Sequence, residues 1–164
     1  LDANPATKAI AAAGDHLYQL HDSGRIYRFT GVPNTGWQQL DANPATKAIA
    51  AAGDHLYQLH DSGRIYRFTG VPNTGWQQLD ANPATKAIAA FDRTLVQLHN
   101  TGQAWSFNGT PNTGWNQLDN NPTISALAVG VEQPISGDIA SHIATGIYEL
   151  HTNGTVRELL QVIA

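Results

Sequence analysis

The sequence predicts an all-β protein, a β-propeller of four-stranded antiparallel blades of about 39 residues each, with four blades in this chain. Three observations lead there. Residues 1–39 and 40–78 are identical letter for letter, and the landmark LDxNP returns at Leu79 and Leu118, so one unit recurs at a fixed spacing. Each unit holds four short apolar or alternating runs, bounded by Gly, Pro, Asn and Asp in turn-forming order. No segment sustains a helical period outside the extra residues of the fourth unit. A solenoid is the main competitor, but its repeats usually carry one strand or a helix pair, and four strands per repeat favour blades. The chain therefore reads as a single domain, 1–164, with repeats 1–39, 40–78 and 79–117 and a divergent 118–164.

Taken in order, Thr7–Ala13 is small and apolar, which suits an inner strand where neighbouring blades converge. Leu17–His21 and Arg25–Phe29 alternate and are joined by Asp22-Ser23-Gly24, the signature of a hairpin whose turn needs a glycine. Gly36–Leu40 is the fourth, outer strand, reached through the Pro-containing loop Gly31–Gly36. Asn4-Pro5, with its copies Asn43-Pro44, Asn82-Pro83 and Asn121-Pro122, reads as the link from one blade's outer strand to the next blade's inner strand, because Pro biases the preceding Asn to extended geometry. The third repeat departs at Phe91–Val96 and Gln103–Thr110. The fourth delays its hairpin to Ile147, with about 13 residues inserted around Glu132–Ala144.

Composition narrows the function classes. Only 13% of residues are charged, the net charge is −4 and no basic run exists, which argues against nucleic acid and anionic membranes as partners. No apolar run approaches the ~20 residues that cross a bilayer as a helix. With no Cys, disulfides and thiolate-bound metals are excluded. The chain contains no Met, which implies processing or a fragment, and the two identical repeats imply recent duplication or engineering. Ring closure has three solutions: a four-bladed ring in one chain, a ring built from two chains, or an excerpt of a longer propeller. An open arc exposes apolar blade faces and is expected to complete its ring as a homo-oligomer.

The order W-x-x-L, K-x-I-A, L-Y-x-L-H and G-x-I-Y-R-F-x-G resembles the tectonin repeat of tectonin and tachylectin-type β-propeller lectins. It is carried by Trp37 with Leu40, Lys47 with Ile49 and Ala50, Leu56 with Tyr57, and Gly63, Ile65, Tyr66, Arg67, Phe68 and Gly70. The resemblance covers Leu1–Leu118 and, more faintly, Ile147–Leu159. It implies glycan binding, often on microbial surfaces, through several similar sites around the ring. The loop Gly31–Gly36, the LDxNPxT stretch and the altered fourth repeat depart from that pattern.

Candidate chemistry follows from which residues repeat. Paired carboxylates, a nucleophile with its base, phosphate-cradling loops and metal ligand sets are missing at usable spacings, so no enzyme activity, cofactor or metal is expected. Asp2, Asp15, Asp22 and their copies fall in turns and are read as capping their own backbone. His21, His60, His99 and His151 recur at the end of the second strand; a metal ring or pH switch competes with a side chain that hydrogen-bonds the following turn, and the turn reading is preferred. Arg25 and Arg28 flank Tyr27 on the third strand, where Arg either bonds ligand hydroxyls or covers apolar surface.

The loop Pro33-Asn34-Thr35-Gly36-Trp37 differs from these. It recurs at Asn73, Thr74 and Trp76 and at Asn112, Thr113 and Trp115, then vanishes in the fourth repeat. In a four-stranded meander this loop shares a rim with the turn of Asp15 and His16, repeated as Asp54 and His55. An indole face beside amide, hydroxyl and carboxylate groups is what a sugar ring requires, and the competing reading makes Trp37 a blade-packing residue. The expectation is therefore a lectin with weak, repeated glycan sites acting multivalently. On that view Trp76→Ala loses surface binding and keeps the fold, whereas unfolding favours packing. The rival is a structural or protein-interaction scaffold whose divergent Phe91–Thr110 and Glu132–Ala144 segments meet a partner.

Overall fold

The computed structural model describes residues 2–132 and 144–159. The first blade consists of β1 (Thr7–Ala13), β2 (His16–His21), β3 (Ile26–Phe29) and β4 (Trp37–Asp41). The second holds β5 (Thr46–Ala52), β6 (His55–His60), β7 (Ile65–Phe68) and β8 (Trp76–Asp80), and the third β9 (Thr85–Phe91), β10 (Thr94–His99), β11 (Ala104–Phe107) and β12 (Trp115–Asp119). In the fourth, β13 (Ile124–Glu132), β14 (Ala144–His151) and β15 (Val156–Leu159) form a three-stranded sheet among the described residues. Each sheet is an antiparallel meander in chain order, so the predicted propeller architecture is the observed one. The predicted insertion around Glu132–Ala144 falls mostly outside the described residues.

The strand edges differ from the prediction for local reasons. Arg25 belongs to the turn rather than β3, because its carbonyl accepts the His21 N–H at 2.9 Å. Gly36 closes the loop before β4: its N–H donates to the Val32 carbonyl at 2.8 Å, and an added Cβ would lie 2.6 Å from that same oxygen. The strand pairing places Tyr18 opposite Arg28 and Phe29 opposite Trp37, with an irregularity between Thr7 and Ala9.

The small first strands are the inner ones. β1, β5, β9 and β13 follow one another around the arc, and the ends of the first three, marked by Ala13, Ala52 and Phe91, line with Thr145 of β14 a shared axial cavity of ≈ 420 Å³. Alanine is what fits where four sheets converge, and Ala52 is buried.

Blade faces mate in one repeated joint. Tyr18, Leu20, Ile26 and Leu40 on the first blade pack against Ile49, Ala51, Leu56, Phe68 and Trp76 on the second. Tyr57, Leu59, Ile65 and Leu79 then meet Ile88, Ala90, Leu95, Phe107 and Trp115 of the third blade. A smaller cluster of Leu98 and Ala104 with Ile124 and Leu127 joins the fourth. Burying each such Leu or Ile contributes about 1.5–3 kcal/mol, so these joints hold the arc together.

The Asn-Pro links have the predicted position and a second duty. Asn43 and Asn82 accept the N–H two residues on, from Ala45 and Ala84, which fixes the link. The hairpin turn of the preceding blade rests on them: Gly63, at φ +83, has no room for a Cβ, which would collide with the Asn82 carbonyl oxygen and lie 2.7 Å from Pro83 Cα.

Candidate functional site

Two kinds of cleft lie between and beside the blades, and they divide the predicted site residues. The larger, ≈ 450 Å³, opens between the first and second blades. His16, Tyr18 and Arg28 line it from one side, Asp54, His55 and Arg67 from the other, with Phe68, Thr69 and Gly70 at the start of the β7–β8 loop. Strand alternation puts Tyr18 and Arg28 on one face because they are direct cross-strand partners. Each guanidinium is braced by a cross-strand amide: Arg28 Nη2 donates to Gln38 at 2.7 Å and Arg67 Nη2 to Gln77 at 2.6 Å. His16 Nδ1 lies 3.3 Å from the exposed Asp15 carboxylate, and its ring meets Tyr18 edge-on at 6.0 Å. Burial pushes the Tyr18 phenol up, Arg28 pulls it down, and Asp15 and Asp54 push it further up; burial likewise raises Tyr57 against the pull of Arg67. Tyr18 therefore presents a neutral hydroxyl. The cleft thus combines braced cationic donors, a carboxylate acceptor, imidazoles and an aromatic edge.

The second cleft, ≈ 220 Å³, lies on the outward face of the first blade and contains Asn34, Thr35 and Trp37 together with Asp2, Asn4, Gln19, His21 and Tyr27. Trp37 and Asn34 are therefore not in one pocket with Asp15 and His16. At the equivalent place in the next blades the neighbour has moved in. The Asn73 N–H donates to the Leu40 carbonyl and the Asn112 N–H to the Leu79 carbonyl, both at 2.7 Å. Trp115 Nε1 also donates to the Leu79 carbonyl, at 3.2 Å, and Gln78 donates to Asn112 Oδ1 at 3.1 Å. Asn34, Asn73 and Asn112 take left-handed φ of 66, 64 and 66°, a conformation Asn tolerates, which accounts for Asn in this loop. Trp37, Trp76 and Trp115 each pack on the cross-strand Phe at 5.1 Å between ring centroids, and Thr35, Thr74 and Thr113 stay exposed at the loop tips.

The repeated histidines are buried, and their backbones engage the turn, Gly24 donating to the His21 carbonyl and Gly63 to the His60 carbonyl, each at 2.9 Å; in the third blade the His99 ring also hydrogen-bonds Gln103 of the turn, as expected. The rings lie over the third-strand aromatic, His21 on Tyr27 and His60 on Tyr66 at 4.5 Å, His99 on Trp105 at 5.7 Å. Burial lowers His60, against Asp41 and Asp61, and lowers His99, against the Gln103 hydrogen bond and Asp80. Among the described residues no group of three His, Cys, Asp or Glu side chains is placed to hold a metal.

A polar set that the sequence analysis did not single out runs through the blade joints. The second-strand Gln accepts from the first-strand Thr hydroxyl in three blades, Thr7 to Gln19 at 2.9 Å, Thr46 to Gln58 at 2.7 Å and Thr85 to Gln97 at 2.6 Å. Gln97 then donates to Asp80 Oδ2 of the preceding blade at 2.8 Å, while Asp80 Oδ1 caps Ala81, so this Asp serves its turn and the joint together. The signal available in the letters was the fixed spacing of Thr, Gln and Asp in the first three repeats.

No protein-family model matches this chain, and no curated protein does. Solved structures do match in fold. The chain is similar to human WBSCR16, with TM-score 0.57 and 11% identity, over 94% of this chain and 53% of that one. It is also similar to Prp20p from Saccharomyces cerevisiae, with TM-score 0.55 and 12% identity over 94% and 50%, and to BamB from Moraxella catarrhalis, with TM-score 0.56 and 13% identity over 97% and 46%. The chain thus has a β-propeller fold and spans about half the length of these structures.

Proposed function

We propose that the chain is a carbohydrate-binding propeller of the tectonin and tachylectin kind, a lectin whose leading site is the cleft between the first two blades. The observation that carries this reading is the composition of that cleft: Arg28 and Arg67 offer planar paired donors, Asp54 accepts, and Phe68 with the imidazoles of His16 and His55 supplies apolar edges for sugar C–H groups. The guanidiniums are held by Gln38 and Gln77 before any ligand arrives, so little side-chain freedom is lost on binding. The next joint departs from this set, with Arg93, Thr94 and Ser106 standing where Asp54, His55 and Arg67 stand, so sites around the ring differ in preference.

The test is a broad glycan array probed with the labelled chain beside Arg67→Ala and Asp54→Ala, both checked for folding by circular dichroism. Saturable binding to a related set of sugars, reduced at least tenfold in both variants, supports the reading. Binding that survives both moves the site elsewhere on the ring. Silence across the array from a folded chain leaves the protein-interaction scaffold as the better account.

A further inference from the structure

The first and fourth blades each turn one face away from every other described blade, and these faces are the two halves of the joint repeated inside the chain. Within the chain, Ile49, Ala51, Leu56, Phe68 and Trp76 of the second blade are covered by the first. Their letter-identical counterparts Ile10, Ala12, Leu17, Phe29 and Trp37 have no described blade over them: Ile10 is 70% exposed. On the fourth blade, Ala126, Leu150 and Val156 hold the register positions of Ala9, Leu20 and Ile26. There Leu150 is 41% and Val156 63% exposed, whereas Leu20 and Ile26 are fully buried. Leu150, Val156, Ala126 and Ala128 wall an open depression of ≈ 260 Å³.

We propose that a second copy of this chain covers both faces, the fourth blade of each copy docking on the first blade of the other to close a ring of eight blades. The occupant follows from continuity with the internal joint: the surface that fits the Ile10 face is the kind of face the first blade offers to Ile49, and the fourth blade presents that face. Such a contact is heterologous, so it either closes or grows into a filament. Eight blades lie within the usual range of propellers, and the matched propeller structures continue for about as much chain again.

This inference stands apart from the sugar reading and is tested without a ligand. Sedimentation equilibrium of the purified chain is expected to give a discrete species of twice the mass of one chain. Ile10→Glu and Val156→Glu change exposed side chains, and each is expected to return a folded protein of single-chain mass. A single-chain mass for the unaltered protein at high concentration overturns the proposal, and so does a ladder of larger species. A dimer that survives both substitutions overturns these faces as the contact.

Discussion

Trp76 shows what one residue contributes to a blade joint. Its indole packs on Phe68 and against the cluster formed by Tyr18, Leu20 and Ile26 of the preceding blade, and its Nε1 is buried without a hydrogen-bond partner. Truncation removes a large apolar contact between two sheets that nothing else fills. We expect Trp76→Ala to cost about 3 kcal/mol, read as a lower urea midpoint, the lower end of the range for deleting a packed aromatic because the ring is only half-buried. An unchanged midpoint with lost glycan binding would instead place the indole in a ligand site.

At the scale of one strand, β14 carries a carboxyl where β2, β6 and β10 carry an amide. Glu149 stands at the position of Gln97 and is fully buried, with His151 Nε2 3.5 Å from one carboxylate oxygen and the Asp119 carboxyl beside it. Burial raises its pKa most, the charge of Asp119 and a hydrogen bond shared with it add to the rise, Arg157 opposes it, and the result is about 7. The folded state thus binds this proton more tightly than the unfolded chain, whose value is 4.5. Its favourable contribution is complete below pH 4.5 and is lost as pH rises through about 7. His60 and His99, lowered by burial, act with the opposite sign, gaining stability as pH rises toward 6.5. Glu149→Gln separates the two trends. The amide can donate to Asp119 as Gln97 donates to Asp80, so the variant is expected to be more stable by roughly 2 kcal/mol at pH 8, with the difference vanishing near pH 4. Thermal unfolding across that pH range checks it.

For the whole molecule, the proposed lectin function and the proposed two-copy ring combine in one consequence. On those two proposals each shallow, weak sugar site would be presented twice on one rigid body. Multivalent attachment raises apparent affinity by about 10²–10⁴ when geometry lets two sites engage. Ile10→Glu is therefore expected to weaken retention on a glycan-coated surface by at least tenfold while leaving the single-site affinity in solution unchanged. Surface plasmon resonance beside calorimetry with a monovalent sugar makes the comparison, and equal losses in both would show that the substitution damages the cleft itself.

Much of the fold was legible because it is written in short-range chemistry. The 39-residue repeat, alternation over Leu17–His21 and the glycine turn at Asp22-Ser23-Gly24 each specify a strand or a reversal within a few residues, and Thr7–Ala13 appears as a strand over those same residues. The candidate site was legible only in part. His16, Asp54 and His55 do share a cleft, but their companions Arg28 and Arg67 are selected by cross-strand pairing and by the approach of a second blade. The clearest case lies in the first two repeats, which are identical in every letter and differ in surroundings: Leu56 is 1% exposed, whereas Leu17 is only half-buried. Burial belongs to the contact between blades, and a residue acquires it from its place in the ring. The letters therefore decide what each blade is, and tertiary packing decides which of its faces is core, which is cleft and which is left to meet another molecule.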